Sequence, residues 1–550
     1  MFHPKAGRLA GLTFIFVALL GGISIAKGGY YFGKHEGDTL HFIDIVMRMA
    51  AGERAHLDFM TPIGVLAFAP VAALVSAGMG IGKAILWSQL FVAVLLAPAA
   101  WWIAARRLTG GVAILFVLFV SVLTLALVHG EAEPALSISM HYNRWSWAMT
   151  FVLVIAALVP PKAGRGAAAD GIIIGLLVAA LVMIKVTYVV AFVVPVVLGL
   201  VRTGQQRTLL VALVAGAFAA LIATLWLGLG HWAAYIGDLR EVSASTVRPQ
   251  PGLPFSGVLT APLYVGASLT ALAAVIVLRQ AGQDIAGLLV LLLVPGFFYV
   301  TYQNFGNDPQ WLLLLGVLML AFVSTMPEEG ENSFGLQHRA AAAGLAAIAL
   351  TFAAPSFFNL AYSPFRHFFV EAEDYAPVIP GAPESADLFA AAVRAEDPAV
   401  RVPLIAPGLG LTEEAPLGDE DEPGPNTPVT FMGEEFAACT LDGGMIAMFD
   451  AVAADLDAAG YGGRTLFAAD LLSTYWLYGD LEPLPGAAPW YYGALSGYEA
   501  ADLLFVPTCP IVGRVRREIL EAIEAQGTEE LTEVRRTEAY VLYERAEITR

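Results

Sequence analysis

Charge is scarce in this 550-residue sequence, because Asp, Glu, Lys and Arg together make up 14% of it while 57% is hydrophobic. So little charge at this hydrophobicity excludes a disordered chain and a single water-soluble globule. Two cysteines are too few for a disulfide scaffold of this length. With a mean hydropathy of +0.68, most of the chain is predicted to lie in a membrane.

Motifs for nucleotide or metal chemistry are also missing. The sequence contains no glycine-rich phosphate loop and no dinucleotide-binding glycine pattern, which argues against a nucleotide-driven motor. The nine histidines form no HExxH pair, and the two cysteines are not a CxxC pair. No metal site is therefore predicted, although carboxylates of the first loop offer ligands for a divalent cation.

The charges that are present divide the chain into two parts. Residues 1–365 hold 19 Lys and Arg against 15 Asp and Glu, a net of +4, whereas residues 366–550 hold 11 Arg, no Lys and 33 Asp and Glu, a net of -22. We therefore predict a membrane domain over 1–361 and an acidic soluble domain over 362–550. Such an acidic tail excludes nucleic acid as a partner.

Apolar runs of membrane-spanning length recur along the first part. A backbone in lipid must satisfy its own hydrogen bonds, so each run is predicted to be a helix. The runs are 9–27, 62–79, 84–105, 111–129, 147–160, 208–229, 258–278, 285–303, 311–325 and 340–358. Residues 170–201 lie between basic loops, so they are predicted to form a hairpin of two short helices with Lys185 near the outer turn.

The predicted fold is thus a polytopic α-helical membrane protein with about 12–13 transmembrane helices and a C-terminal soluble α/β domain. Basic residues in the loops place the N-terminus inside and the tail outside. The expected location is the inner (cytoplasmic) membrane, with the tail in the periplasm. Unusual polar residues then collect on the outer side, in loop 28–61 above all.

Loop 28–61 is rich in groups that transfer protons or bind polar substrates. Asp38 and His41 are three residues apart in a stretch without helix breakers, so an interfacial helix points both the same way. A partly desolvated carboxylate at the lipid boundary suits a general base. The alternative is that these side chains only solvate an exposed loop. The loop's other candidate substrate-binding residues are Glu36, Asp44, His56 and Asp58.

In loop 28–61, an Asp soon after the first membrane helix is followed by an amphipathic stretch and then by Gly52, Asp58 and Pro62. This order of residues resembles the first outer loop of GT-C glycosyltransferases. These include the protein O-mannosyltransferases and the aminoarabinose transferase of lipid A. The resemblance implies a polyprenyl-phosphate sugar as donor and an acidic base in this loop, at Asp38 by position. The adjacent acidic pair of some members is missing, which leaves Glu36, Asp38 and Asp44 as alternatives.

The resemblance extends weakly to residue 360. The segment GIIIGLLVAALVMIKVTYVV, with Lys185 and Tyr188, is similar to a helix pair of that family in which a cation would stabilise the leaving phosphate. The alternative is a lysine that extends to the lipid headgroups. In MHYNRWSWA, Arg144 suits phosphate binding, together with His141 and Asn143, but a Trp/Tyr/Arg anchor belt is the competing interpretation.

A third outer segment, TYQNFGNDPQW, offers amides and a carboxylate that suit sugar hydroxyls. The candidates are Asn304, Asn307 and Asp308, and a plain Gly/Pro turn is the alternative.

The tail is predicted to be α/β. The expected strands are 401–406, 465–468, 502–507 and 539–543, the expected helices are 385–395, 446–459 and 511–526, and 407–428 is expected to be a flexible loop. Cys439 and Cys509 fit a disulfide and two buried thiols equally well.

These features predict an inverting membrane glycosyltransferase that moves a sugar from a polyprenyl-phosphate carrier to a lipid, glycan or protein acceptor on the extracytoplasmic side. The lipid-linked sugar donor, the acceptor and the membrane are the expected partners, and no cofactor is assigned beyond that donor. The alternatives are a transporter or flippase of a lipid-linked glycan and a non-enzymatic envelope scaffold. A transporter predicts ionisable residues in the middle of helices and an internal repeat, and neither is evident.

Overall fold

The computed structural model describes residues 4–162, 166–245, 261–303, 308–402 and 428–546. Within these ranges the first part of the chain is a helical bundle, and the rest is a tail of small sheets and short helices. The bundle helices are α1 Pro4–Ala26, α2 Glu36–Ala50, α3 Ala69–Ser76, α4 Ile81–Arg107, α5 Gly110–Leu125, α6 His141–Leu158, α7 Ala167–Arg202, α8 Gln206–Leu227, α9 Leu229–Ala244, α10 Pro262–Gln280, α11 Asp284–Gln303, α12 Trp311–Val323 and α13 His338–Phe368.

Seven described helices are long and apolar enough to cross a membrane: α1, α4, α7, α8, α10, α11 and α13. The shorter helices α5 and α12 are also apolar. The seven long helices carry large exposed side chains, such as Leu210 and Leu225 on α8, as expected for a surface that faces lipid. The chain is therefore a multi-pass membrane protein, and the larger number of spans stays a prediction.

The predicted span at 62–79 is wrong. This run forms a 3₁₀ turn, Val65–Ala67, followed by the eight-residue α3. Eight residues of helix rise about 12 Å, less than half of a bilayer core. The run is apolar because it packs inside the protein: the Gly64 amide donates to the Ile184 carbonyl at 3.0 Å, and a Cβ on Gly64 would lie 2.2 Å from the Met183 oxygen.

Helix α7 is a hairpin, as the sequence predicts. Its 36 residues would extend about 54 Å if straight. Instead both ends lie beside Arg107, whose Nη2 donates to Asp170 at 2.8 Å and to Gln205, just past the helix, at 3.0 Å. The reversal occurs at Lys185, whose backbone is extended rather than helical.

The two ends of the bundle are chemically different. One end, here called the far end, carries Arg106, Arg107 and Asp170, and the start of α1 lies there because Trp101 donates to the Ala6 carbonyl at 2.9 Å. The opposite end, here called the tail end, carries α2, the Lys185 turn and the tail.

The tail contains a four-stranded sheet of order β10 (Leu531–Arg536), β11 (Tyr540–Arg545), β9 (Leu503–Pro507) and β8 (Leu466–Ala468), in which only β8 and β9 are parallel. Cys439 and Cys509 form a disulfide, with Cα atoms 4.9 Å apart. The tail elements are β2 Tyr375–Pro377, β3 Leu388–Ala391, α14 Ala392–Ala395, β4 Ala399–Arg401, β5 Val429–Phe431, β6 Glu434–Phe436, β7 Thr440–Gly443, α15 Met445–Ala458, β8 Leu466–Ala468, β9 Leu503–Pro507, α16 Gly513–Gln526, β10 Leu531–Arg536 and β11 Tyr540–Arg545.

Three of the four predicted tail strands and two of the three predicted helices are present, as β8, β9, β11, α15 and α16, whereas the strands β2, β5, β6, β7 and β10 were not predicted. The expected helix 385–395 is instead β3 and the single turn α14. The expected strand 401–406 is present only as β4, and residues 403–427, with nearly all of the expected loop, lie outside the described residues.

The first loop and the tail share one sheet. Strand β1, Tyr30–Phe32, pairs in parallel with β3, and β3 pairs with β2 in the order β1-β3-β2. The Asp387 carboxylate also accepts from the amides of Gly82 and Lys83, at 2.8 and 3.0 Å, at the start of α4. An acidic side chain there complements the helix dipole. The tail is thereby fixed to the bundle.

Candidate functional site

Helix α2 carries the predicted acidic residues at its start. Glu36 and Asp38 lie in its first turn and Arg48 in its last, an order that complements the helix dipole. His35 precedes the helix with φ 65°, a left-handed conformation that is uncommon for a residue with a Cβ. The turn at His35 brings the first residues of α2 to residues 126–140, the connection between α5 and α6, which is here called the second outer loop after its predicted side.

Two of the three candidate carboxylates already have strong partners. Buried Glu36 is held by Arg394 of the tail, whose Nη2 donates to Oε2 at 3.0 Å. Asp44 is fully buried, pairs with Arg48 at 2.7 Å and accepts the Trp476 indole N–H at 2.8 Å. Burial raises the pKa of Asp44, and Arg48 opposes that shift. Both residues attach α2 to its surroundings.

Asp38 is different. It is half-buried and accepts a hydrogen bond from Ser139 Oγ at 2.9 Å. No Lys or Arg in the described part of the chain forms an ion pair with it. Its neighbour on the helix, His41, instead faces the tail, with its ring 5.7 Å from Trp490 and 6.4 Å from Tyr492. Asp38 and His41 thus do not face one common partner.

The segment Ser139–Arg144 connects Asp38 with Lys185. Ser139 contacts Asp38, and the ring of Tyr142 lies 5.1 Å from the Lys185 ammonium. Lys185 is half-buried at the turn of α7. The predicted base and the predicted cation therefore lie at the same end of the bundle, beside Ser139 and Tyr142, which are three positions apart in one segment.

Arg144 is the last residue of this segment and is 1% exposed. Its Nη1 donates to the carbonyls of His129 and Ser139, at 3.2 and 3.1 Å. Its Nε and Nη2 have no hydrogen-bond partner among the described residues. In this conformation Arg144 fixes the second outer loop, and it places a positive charge just below the site.

The other candidates near α6 are buried supports. His141 Nε2 donates a hydrogen bond to the Ala67 carbonyl oxygen at 2.9 Å, within a group of aromatic rings. The Tyr188 hydroxyl donates to the carbonyl of Asn143 at 3.3 Å, which ties α7 to α6. These contacts hold the Lys185 turn against the start of α6.

The last residues of loop 28–61 lie in a separate cluster with α9. The His56 Nδ1 is 2.7 Å from Asp238, and its ring is 5.0 Å from that of His231. Asp58 pairs with Arg54 at 3.2 Å, and these hydrogen bonds lower the pKa of Asp58. Asn304 and Asn307 lie outside the described residues.

Sequence reasoning missed a polar cluster beside Asp38. His129 Nδ1 is 3.0 Å from Glu131 Oε1, and the His35 and His129 rings are 4.7 Å apart. Asp308 lies close to Glu131, and burial together with that charge raises the pKa of Asp308 to about 6. The only sequence signal for His129 and Glu131 was the polar HGE at 129–131, which begins four residues after the end of α5.

A long apolar groove runs along the bundle to this site. Its volume is about 700 Å³, and it lies between α4, α6 and α7. Trp145 and Ile184 line its upper part, and they are the neighbours of Arg144 and Lys185 in sequence. It extends from Ile184 to Ala169 along α7, about 22 Å at the helical rise.

Comparison of the chain with known proteins gave no match to a family model, a characterised protein or a solved structure.

Proposed function

We propose that the chain is a membrane glycosyltransferase that transfers a sugar from a polyprenyl-phosphate carrier to an acceptor hydroxyl on the extracytoplasmic side. The observation that carries this proposal is the arrangement at the tail end. An unpaired carboxylate, a lysine and an apolar groove all adjoin the segment Ser139–Arg144. A carrier of this kind has a long apolar chain and an anionic head, which matches the groove and the lysine.

Charge and redox chemistry support the proposed sidedness of the site. Arg106 and Arg107 mark the far end, and by the positive-inside rule that end is cytoplasmic. The tail end, with the Cys439–Cys509 disulfide, then faces the oxidising side. A donor at the site is therefore drawn from the outer leaflet.

The groove holds the apolar part of the donor. It is lined almost wholly by apolar side chains, with Phe91 and Leu95 on α4 and Ile172 and Leu176 on α7 exposed along it. Because a polyprenyl chain already lies in apolar lipid, the groove binds it by shape and van der Waals packing and not by removal from water. Its phosphate then reaches the turn after Ile184, where Lys185 provides a cation.

The chemistry proposed is a single displacement. Asp38 accepts the proton of the acceptor hydroxyl as its oxygen attacks the anomeric carbon. The bond from that carbon to the carrier phosphate breaks with its electron pair, so the configuration inverts. Lys185 stabilises the phosphate that leaves, and buried Arg144 adds positive potential below it. Ser139 orients the Asp38 carboxylate through its 2.9 Å hydrogen bond.

Two substitutions test the two halves of this proposal in the full-length chain in lipid nanodiscs. Asp38→Asn keeps size and removes the base, so we expect transfer from a panel of polyprenyl-phosphate sugars to fall by roughly 10²–10⁴-fold, with binding of a fluorescent polyprenyl phosphate unchanged. Lys185→Met removes the cation, so binding of that same probe should weaken by roughly 10–100-fold. Exposed Asp374→Asn in the tail is the matched control and should change neither.

The outcomes separate the alternatives. Transfer at the original rate in Asp38→Asn would refute the assignment of the base. Movement of an intact lipid-linked glycan across the bilayer, without release of polyprenyl phosphate, would identify a flippase. Failure of the full-length chain to bind the probe at all would remove the enzyme interpretation and leave a scaffold.

A further inference from the structure

His35, His129 and Glu131 come together from two separate outer loops. Each offers one ligand atom, and these three atoms lie within 4.8 Å of one another. The closest pair, His129 Nδ1 and Glu131 Oε1, is 3.0 Å apart but is not aligned as a hydrogen bond. Bond lengths of about 2.0–2.2 Å place two ligands of one ion about 3–3.5 Å apart, so small side-chain rotations complete the geometry.

The three residues are held in place by contacts outside the cluster. His35 Nδ1 is 3.0 Å from Ser137 Oγ, which leaves its Nε2 as the ligand atom. The carbonyl of His129 accepts a hydrogen bond from buried Arg144. Such outer contacts fix ring orientation in metal sites. The left-handed backbone at His35 is a further local cost, and residues in such conformations cluster at functional sites.

The cluster also has an excess of negative charge. Glu131 and Asp308 lie close enough to repel each other, and Asp38 is on the other side of His35. The nearest lysine, Lys34, pairs with Glu133 instead. A divalent cation would neutralise this charge.

We propose that His35, His129 and Glu131 bind one divalent transition-metal ion, with Zn²⁺ as the expected occupant. Two imidazoles and one carboxylate are a preferred donor set of zinc, and three protein ligands leave one position open. The ion joins the residue before α2 to the second outer loop. Because Asp38 is three residues after His35, metal binding fixes the position of Asp38.

This inference does not rest on the proposed sugar transfer, since zinc binding is measured directly. The full-length chain, carrying no polyhistidine tag, is stripped with a chelator in detergent and titrated with Zn²⁺ alone. We expect one tight equivalent per chain. Titration with Co²⁺ should give visible ligand-field absorption that Zn²⁺ abolishes.

Variants define the ligands. His129→Asn and Glu131→Gln should each weaken Zn²⁺ binding by roughly 100-fold or more and remove the Co²⁺ absorption. Glu133→Gln, two residues from Glu131 and paired with Lys34, is the matched control and should bind like the original chain. Zn²⁺ should also raise the unfolding temperature of the original chain and of Glu133→Gln but not of Glu131→Gln.

Two results would overturn the proposal. One is no stoichiometric binding of Zn²⁺ or Co²⁺ at micromolar concentration by the chelator-stripped chain. The other is binding by His129→Asn and Glu131→Gln that equals that of the original chain, which would place the ion elsewhere. A variant that loses sugar transfer but binds zinc as before would bear on the proposed roles of Asp38 and Lys185 and would not contradict the metal site.

Discussion

The ion pair between Glu36 and Arg394 is expected to hold the tail closed over the first outer loop. Glu36 is 7% exposed at its side chain and Arg394 47%. Loss of one partner costs about 3–5 kcal/mol for a buried pair and about 0–1 kcal/mol for a surface pair. This half-buried pair lies between these limits, so Arg394→Met should cost about 2 kcal/mol, or roughly 30-fold in the population of the undocked state.

Chymotrypsin cleavage of the full-length chain in detergent measures that population. Tyr30 and Phe32 in β1 are fully buried while β1 pairs with β3, so cleavage there requires undocking. Arg394→Met neither creates nor removes an aromatic residue, which would be a primary chymotrypsin site. Arg394→Met should therefore raise the cleavage rate by roughly 30-fold.

A double-mutant cycle isolates the pair. Glu36→Gln leaves no buried charge, so adding Arg394→Met to it should have little further effect. Arg401→Met, which breaks an exposed pair with Asp442, is the matched control and should change the rate by less than about 3-fold. An equal effect of Arg394→Met with and without Glu36→Gln would refute the reasoning.

Three further predictions concern single positions. Because burial raises the pKa of Asp308, the folded chain holds a proton that the unfolded chain releases between pH 4 and about 6, and stability falls as pH rises through that range. Asp308→Asn should then stabilise the chain by about 2 kcal/mol at pH 8 and not at pH 4, and equal shifts of unfolding temperature at both pH values would contradict this. Cys439→Ser removes a disulfide between residues 70 apart, so the free energy of unfolding of the tail should drop by about 4 kcal/mol. Reductant should then have no effect on the stability of the variant. An unchanged unfolding temperature in Cys439→Ser would disprove the contribution of the disulfide to tail stability. Gly82→Ala places a Cβ 2.0 Å from the Asp387 carbonyl oxygen, so it should increase chymotrypsin cleavage at β1 by more than 10-fold. The control Gly22→Ala has no atom within 4 Å of its Cβ and should leave the cleavage rate unchanged. Similar cleavage rates in both variants would show that the close packing at Gly82 is dispensable.

The parts of the fold that sequence reasoning predicted depend on local signals. Basic loops on both sides of 170–201 required an even number of crossings, and this identified the hairpin at Lys185. Short apolar runs that alternate with helical segments identified β8, β9 and β11. By contrast, 62–79 is as apolar as a true span, because burial within protein and burial in lipid select the same side chains.

Contacts between distant segments could not be predicted. Glu36, Asp38 and Asp44 lie within nine residues, and only their partners Arg394, Ser139 and Trp476, far away in sequence, distinguish them. For the same reason His35 and His129, 94 positions apart, showed no metal spacing.

The parallel pairing of β1 with β3 has a consequence for biogenesis. Residues 30–32 emerge early in synthesis, yet their partner at 388–391 follows all the helices of the bundle. The first loop therefore lacks its strand partner until the C-terminal region has been translated. A chain that ends before residue 388 would leave the edge of β1 exposed and open to pairing with other chains.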